Sequence, residues 1–421
     1  MTAGPTGSLL KGSASIAIGL AVAGAGTLVM LALTARALAP DDYAAFAVWW
    51  TVATLMAAAF GVFEAYLARL VVTEQAAHRD ARAVSGQALA RAQLMALGLA
   101  VGAVGASPVL AREVFAGHRA LAWLLAVYVV LGALQSLQRG AATGLARYST
   151  VARQLVADGL LRALTVAALL AVGVRDPVAV AAVACAAAAV SLLVADRGAS
   201  EWRSRPRWRG PASTFSPVAL LLVGAIGPLL ANSGSAPWLA AYGDQSAQKI
   251  GAFVGALTLS RVPSQFVAAA FGPLMTALSH AVEAGDTEGF RRLQRSADRA
   301  TAMGCVAFVL AFGLLGPWVL RIYLGDQFRL SSTVLLLLGA ASGLMLAAVV
   351  RQAGLAARGQ WSDIALAWLL GGATMVVALL LPVPALTRAA SAPVAAVTVA
   401  LLVLVFRAKP VPDIEKDAVG P

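Results

Sequence analysis

Long apolar runs separated by short polar intervals organise this chain from end to end. The runs lie near residues 13–35, 43–68, 88–110, 119–138, 153–173, 177–196, 214–233, 247–273, 299–322, 331–350, 361–381 and 388–406. Most are close to the ~20 residues that a helix needs to cross the hydrocarbon core of a bilayer. They are continuously apolar rather than alternating, which argues against the roughly ten-residue strands of a membrane β-barrel. A helix satisfies its own backbone in lipid, so the pattern predicts an all-α polytopic membrane protein of about twelve transmembrane helices in two six-helix lobes. Runs 43–68 and 247–273 exceed the spanning length and predict tilt or a projecting end. Pro217, Gly224, Gly227 and Pro228 interrupt run 214–233.

The main polar break, RGASEWRSRPRWRGPAS at 197–213, divides the runs six and six. The chain accordingly reads as an N-terminal membrane lobe over 1–196, a basic cytoplasmic linker over 197–213, a C-terminal membrane lobe over 214–406 and a flexible cytoplasmic tail over 407–421. Composition agrees, with 60% hydrophobic and 12% charged residues, against roughly a quarter charged in a soluble domain. The net charge of +12 does not call for nucleic acid. With the N-terminus inside, 23 Lys and Arg residues fall on or near the cytoplasmic side and eight on the outer side, and such an excess orients a membrane protein. Arg162 is grouped with the inner set. The expected location is the inner or cytoplasmic membrane, with both termini cytoplasmic and an uncleaved first span.

Catalytic signatures are missing from this sequence: it has no G-x-S-x-G elbow, no HExxH and no Walker A loop. His78, His118 and His280 are scattered and read as solvated, and Cys185 and Cys305 sit in apolar runs. No enzyme, metal or cofactor is expected. Transport is open to coupling by a proton or sodium gradient or by membrane potential.

The informative residues are polar groups inside the runs. Arg261, in LTLSRVPSQFVAAAFGP beside Pro263 and Gln265, is costly in a membrane unless it meets water, an acid or a bound anion. It therefore reads as a substrate or gating contact, or as a structural partner. Arg36, ahead of Pro40 and Asp41-Asp42, reads as part of an anion vestibule or as a partner of those carboxylates. Gln135 and Gln138, near Arg139 and Arg147, form a further polar region open to substrate contact or ordinary bundle contacts. Glu64 is placed to neutralise an arginine, bind a coupling ion or reach the cytoplasmic edge. Asp158 and Arg162 are spaced to pair along one helix face.

The opening ASIAIGLAVAGAGTLVMLALTARALAPDDYAAFAVWW, the segment SRVPSQFVAAAFGPLMTALSHAVEAGDTEGFRRLQRSADRA and the following LLGPWVLRIYLGDQF together resemble the multidrug/oligosaccharidyl-lipid/polysaccharide exporter superfamily, in particular Wzx-like polysaccharide flippases. The resemblance implies a two-lobed, alternating-access flippase that carries lipid-linked oligosaccharide to the outer leaflet. Its implied partners are that oligosaccharide, membrane lipids, a glycan polymerase and glycosyltransferases, without nucleic acid. It points to Arg36 and Arg261 as contacts for phosphate or acidic sugars. The alternatives are an ion-coupled drug or metabolite antiporter of the same superfamily and an accessory membrane protein of polysaccharide assembly.

Overall fold

The computed structural model describes residues 5–76, 81–196 and 227–407. Its first part comprises α1 (Pro5–Ala37), α2 (Pro40–Ala58), α3 (Gly61–Ala76), α4 (Ala81–Gly105), α5 (Ser107–Glu113), α6 (Arg119–Gly144), α7 (Tyr148–Ala171) and α8 (Pro177–Asp196). After helical residues 227–233 come α9 (Ser235–Tyr242), α10 (Ala247–Ser260), α11 (Val262–Glu283), α12 (Thr287–Leu324), α13 (Ser332–Ala357), α14 (Trp361–Ala378) and α15 (Ala385–Phe406). The linker predicted over 197–213 and the tail beyond Arg407 lie outside the described residues, as does most of run 214–233.

Among the described residues, nine helices are long and apolar enough to cross a membrane, and ten if α4 and α5 form one bent span. The all-α polytopic class is therefore shown. The bend between α4 and α5 is 63°; Pro108 stands in the first turn of α5 and cannot continue the α4 hydrogen-bond ladder. Run 43–68 is drawn out by a turn at Ala59-Phe60 into α2 and α3, which together count as one 33-residue span over Pro40–Val72. Run 247–273 becomes two helices meeting at Arg261, where Pro263 occupies the first turn of α11 and removes a donor.

The chain forms two compact units. One comprises Met1–Leu222 with Ala236–Gly255 and Leu320–Arg329; the other comprises Val223–Ser235, Ala256–Val319 and Leu330–Pro421. In the first unit α6 is central, touching α2, α3, α4, α5, α7 and α8. Small residues allow this. Gly132, Ser136, Gly140 and Gly144 recur every fourth position, a stripe that lets helix backbones approach closely. A Cβ at Gly140 would stand 2.6 Å from the Glu64 carbonyl oxygen, and one at Gly132 would stand 2.7 Å from Ala57 Cβ. Helices α1 and α7 meet the same way, since a Cβ at Gly159 would lie 2.6 Å from Ala23 Cα. In the second unit α13 packs on α11, α14 and α15. Its first turn is capped by Ser331 Oγ, which accepts from Val334 N at 3.4 Å.

Candidate functional site

The first unit encloses a polar network in the middle of apolar helices. Its centre is Arg162 on α7, only 5% of whose side chain is exposed; it is paired with Asp158 one turn earlier. Arg162 Nη1 donates to Thr27 Oγ1 of α1 at 2.8 Å, and the guanidinium carbon lies 4.5 Å from the centre of the Trp50 ring on α2. Trp50 is in turn edge-on to Tyr128 of α6 at 5.5 Å, and Trp49 meets the same tyrosine at 5.9 Å. One cation is thus held by a carboxylate, a hydroxyl and a ring face drawn from three helices.

From this centre the network runs along α6. Gln135 Nε2 donates to Ser191 Oγ at 2.8 Å and to the Ala188 carbonyl at 3.3 Å, and lies 3.4 Å from Asp158 Oδ1. Gln138 Nε2 donates to the Leu192 carbonyl at 3.2 Å and its Oε1 accepts from Gln154 Nε2 at 3.1 Å. Arg139 Nε donates to Glu64 Oε2 at 3.0 Å and its Nη2 to Ser136 Oγ at 3.1 Å. The Gly140 approach to α3 brings that carboxylate within reach. Two acid–base pairs, Asp158–Arg162 and Glu64–Arg139, therefore stand in one unit with their charges balanced. Buried charge is tolerated in a membrane where it is paired in this way.

Three of the sequence candidates, Gln135, Gln138 and Glu64, come together here. Arg36 does not: it is exposed at the end of α1, where Nη2 donates to the Ile322 carbonyl. The Asp42 carboxylate instead faces His118 Nε2 at 3.1 Å, so His118 is a partner and not merely solvated. Arg261 lies in the second unit, donating to the Asn232 carbonyl. Nearby, Ser342 and Ser260 hydroxyls are 3.1 Å apart beside a cavity of about 10 Å³ lined by Asn232, Leu257 and Ser342, about the room one water needs. The side chain of Gln265, in the first turn of α11, lies outside the described residues. Sequence reasoning paired Asp158 with Arg162 but treated the pair as local and grouped Arg162 with the cytoplasmic charges. It sits instead in the middle of α7, and Thr27, Trp50 and Tyr128 complete a centre whose signal was an arginine within an apolar run.

No family model matches the chain. It is 29% identical over 405 residues to the uncharacterized protein Rv1510 of Mycobacterium tuberculosis, covering 92% of this chain and 89% of that protein. It is 27% identical over 410 residues to Rv3630 of the same organism, with 91% and 90% covered. Among solved structures, an inward-facing multidrug resistance MATE family transporter of the MOP superfamily superposes with a TM-score of 0.69 at 12% identity, covering 93% of this chain and 98% of the other. The chain has the MATE fold. A MATE structure in a bent conformation superposes at 0.65 and 14% identity, covering 99% and 98%. A MOP superfamily transporter from Pyrococcus furiosus, described as having reversed binding-pocket polarity that suggests a different function, superposes at 0.63 and 14%, covering 96% and 94%.

The MATE likeness corrects part of the sequence reading. Lipid-linked oligosaccharide as cargo, with a glycan polymerase and glycosyltransferases as partners, is overturned, and with it the flippase and polysaccharide-biosynthesis assignments. The inward- and outward-facing solved structures with this fold are described as multidrug resistance MATE family transporters of the MOP superfamily.

Proposed function

We propose that this chain is an ion-coupled antiporter of small organic solutes, cationic ones above all, working by alternating access. The observation that carries the reading is the Asp158–Arg162 pair, buried in mid-span and joined to Thr27, Gln135 and Trp50. With Asp158 ionised, Arg162 is compensated. A proton or metal cation that takes the carboxylate leaves Arg162 without its partner in a poorly polarisable bundle, and α7, which carries both groups, gains a reason to shift against α1 and α2, which hold Arg162 through Thr27 and Trp50. A ligand can shift such an equilibrium only by its differential affinity for the two states. Here that difference is a whole charge. The Trp50 ring offers its face to the Arg162 guanidinium and would offer it to an organic cation in the same way.

Glu64 with Arg139 is a second coupling position on the same helix stack. Gln135 and Gln138 are proposed as groups that change partners during the cycle. Arg36, Arg261 and Gln265 are proposed as gating contacts, because the two arginines bind carbonyls at a helix end and at a helix break rather than lining the polar network.

The test is transport by purified protein in liposomes, with ethidium as a fluorescent organic cation and an imposed pH or sodium gradient. Wild-type protein accumulates the dye when the gradient is applied; Asp158→Asn abolishes the gradient dependence, and Glu64→Gln reduces it less. Absence of gradient-driven movement across a panel of cationic and zwitterionic solutes would overturn the reading, as would full gradient dependence in Asp158→Asn.

A further inference from the structure

The first four turns of α12 present two faces of different chemistry. On one, Phe290 is buried with Leu278 and Ala353. Asp298 is held by Arg351 at 2.8 Å and by Gln294 at 3.1 Å, and the Arg358 guanidinium lies 5.3 Å from the centre of the Phe290 ring. These contacts fix the rotation of the helix about its axis. Arg291, Arg292, Arg295 and Arg299 are then all exposed and border one open groove of about 600 Å³. At 3.6 residues per turn they fall within an arc of about 100°. Among the described residues Glu288, 3.6 Å from Arg292, is the one acid paired with this set.

The same face continues toward the C-terminus as Met303, Val306, Leu310 and Leu314, each more than half exposed. Four cations therefore stand directly at the end of an apolar strip on one helix. Trp318, 64% exposed, follows at the far end. At 1.5 Å per residue, Arg299 and Trp318 are about 28 Å apart, close to the ~30 Å of a bilayer's hydrocarbon core. With the strip in hydrocarbon, Trp318 reaches one interface, where tryptophan is favoured, and the arginines reach the headgroup layer of the other.

We propose that this arginine face is a binding site for anionic phospholipid, taking the headgroup phosphate between Arg291, Arg295 and Arg299 while the acyl chains lie along Met303–Leu314. The guanidinium fork matches phosphate oxygens in a bidentate fashion. A lipid such as phosphatidylglycerol brings that phosphate without a cationic group of its own, whereas the choline of phosphatidylcholine opposes the arginines. The positive-inside reading places the site in the cytoplasmic leaflet. The inference rests on membrane embedding and is independent of what the protein carries.

The experiment is native mass spectrometry of the whole chain released from mixed phosphatidylglycerol and phosphatidylcholine membranes, counting bound lipids of each class over a salt titration. Wild-type protein retains phosphatidylglycerol preferentially, and the preference falls as salt rises. Arg291→Gln, Arg295→Gln and Arg299→Gln together weaken it, by roughly fivefold for each arginine. The three Lys replacements keep most of it, and Arg329→Gln leaves it unchanged. Because neutralising three arginines also weakens a topology signal, the salt titration on wild-type protein stands as a test that no variant's folding affects. Equal retention of both lipids by wild-type protein would overturn the proposal, as would an undiminished preference in the folded triple Gln variant. Capture of an acidic peptide without lipid preference would assign the face to a protein partner instead.

Discussion

Arg162 decides the chemistry of the first unit, because a guanidinium with 5% exposure has to find all its compensation within the bundle. Removing one member of a buried pair costs about 3–5 kcal/mol, since the other is left as an uncompensated charge. Asp158→Asn is therefore expected to lower the thermal denaturation midpoint in detergent by several degrees, and Arg162→Gln by at least as much, because it also forfeits the Trp50 ring contact. The double variant has no orphaned charge and should recover part of the loss, with a coupling energy on the order of 0.5–3 kcal/mol. Strictly additive losses would show that the pair is not an energetic unit. Arg162→Lys is expected to resemble the loss variants more than wild type, since an ammonium cannot reach Asp158 and Thr27 with one planar fork while lying on the ring. Much of this was legible in the sequence. The predicted run 153–173 already holds Arg162 near its middle, and the spacing from Asp158 announces their pairing. The contributions of Thr27, Trp50 and Gln135 were not legible, because they arrive from α1, α2 and α6, and no periodicity along α7 encodes who its neighbours are.

At the scale of elements, apolar runs read well and their interruptions less so. Length and hydropathy located nine spans among the described residues, and a tenth if α4 and α5 are one, since those are the properties lipid selects. Whether a proline bends, ends or merely sits in a helix depends on the neighbours that satisfy the freed carbonyl. Pro263 coincides with a break into α10 and α11, whereas Pro317 and Pro393 lie within α12 and α15. Close helix packing was only partly legible, because a stripe of small residues does not say which helix it faces. The first unit answers this for two helical glycines, Gly159 of α7 and Gly24 of α1. A methyl at Gly159 would meet Ala23 Cα at 2.6 Å and Val22 O at 2.7 Å, while one at Gly24 would meet nothing within 4 Å. Gly159→Ala should thus push α7 from α1 and lower the denaturation midpoint. Gly24→Ala should be neutral or stabilising, because alanine is the better helix former by up to ~1 kcal/mol. The two variants measured side by side separate backbone contact from helix propensity, and equal effects would show that α1 and α7 do not meet at Gly159.

For the molecule as a whole, the charge distribution and the parity of the spans predict an orientation. Nine described helices qualify, the α4–α5 pair makes ten, and the broken α10–α11 pair with run 214–233 would raise the number to the even total expected from the apolar runs. An even total would put both termini on one side, and the excess of arginine and lysine in alternate intervals predicts that side to be the cytoplasm. The turn at Gly325–Leu330, between α12 and α13, then faces outward, and the turn at Arg358–Gln360, between α13 and α14, faces inward. Fusing alkaline phosphatase, active only outside, and a fluorescent protein, bright only inside, after each position reads this directly. Fusions after Gly325 should be phosphatase-active and dark; fusions after Gly359 and after Arg407 should be fluorescent and phosphatase-inactive. The arginine face of α12 gives the prediction an internal check, because it lies at the end of α12 opposite Gly325. A bright fusion after Gly325 would invert the topology and move the proposed phospholipid site to the outer leaflet. It would also show that the basic intervals are not what orients this chain.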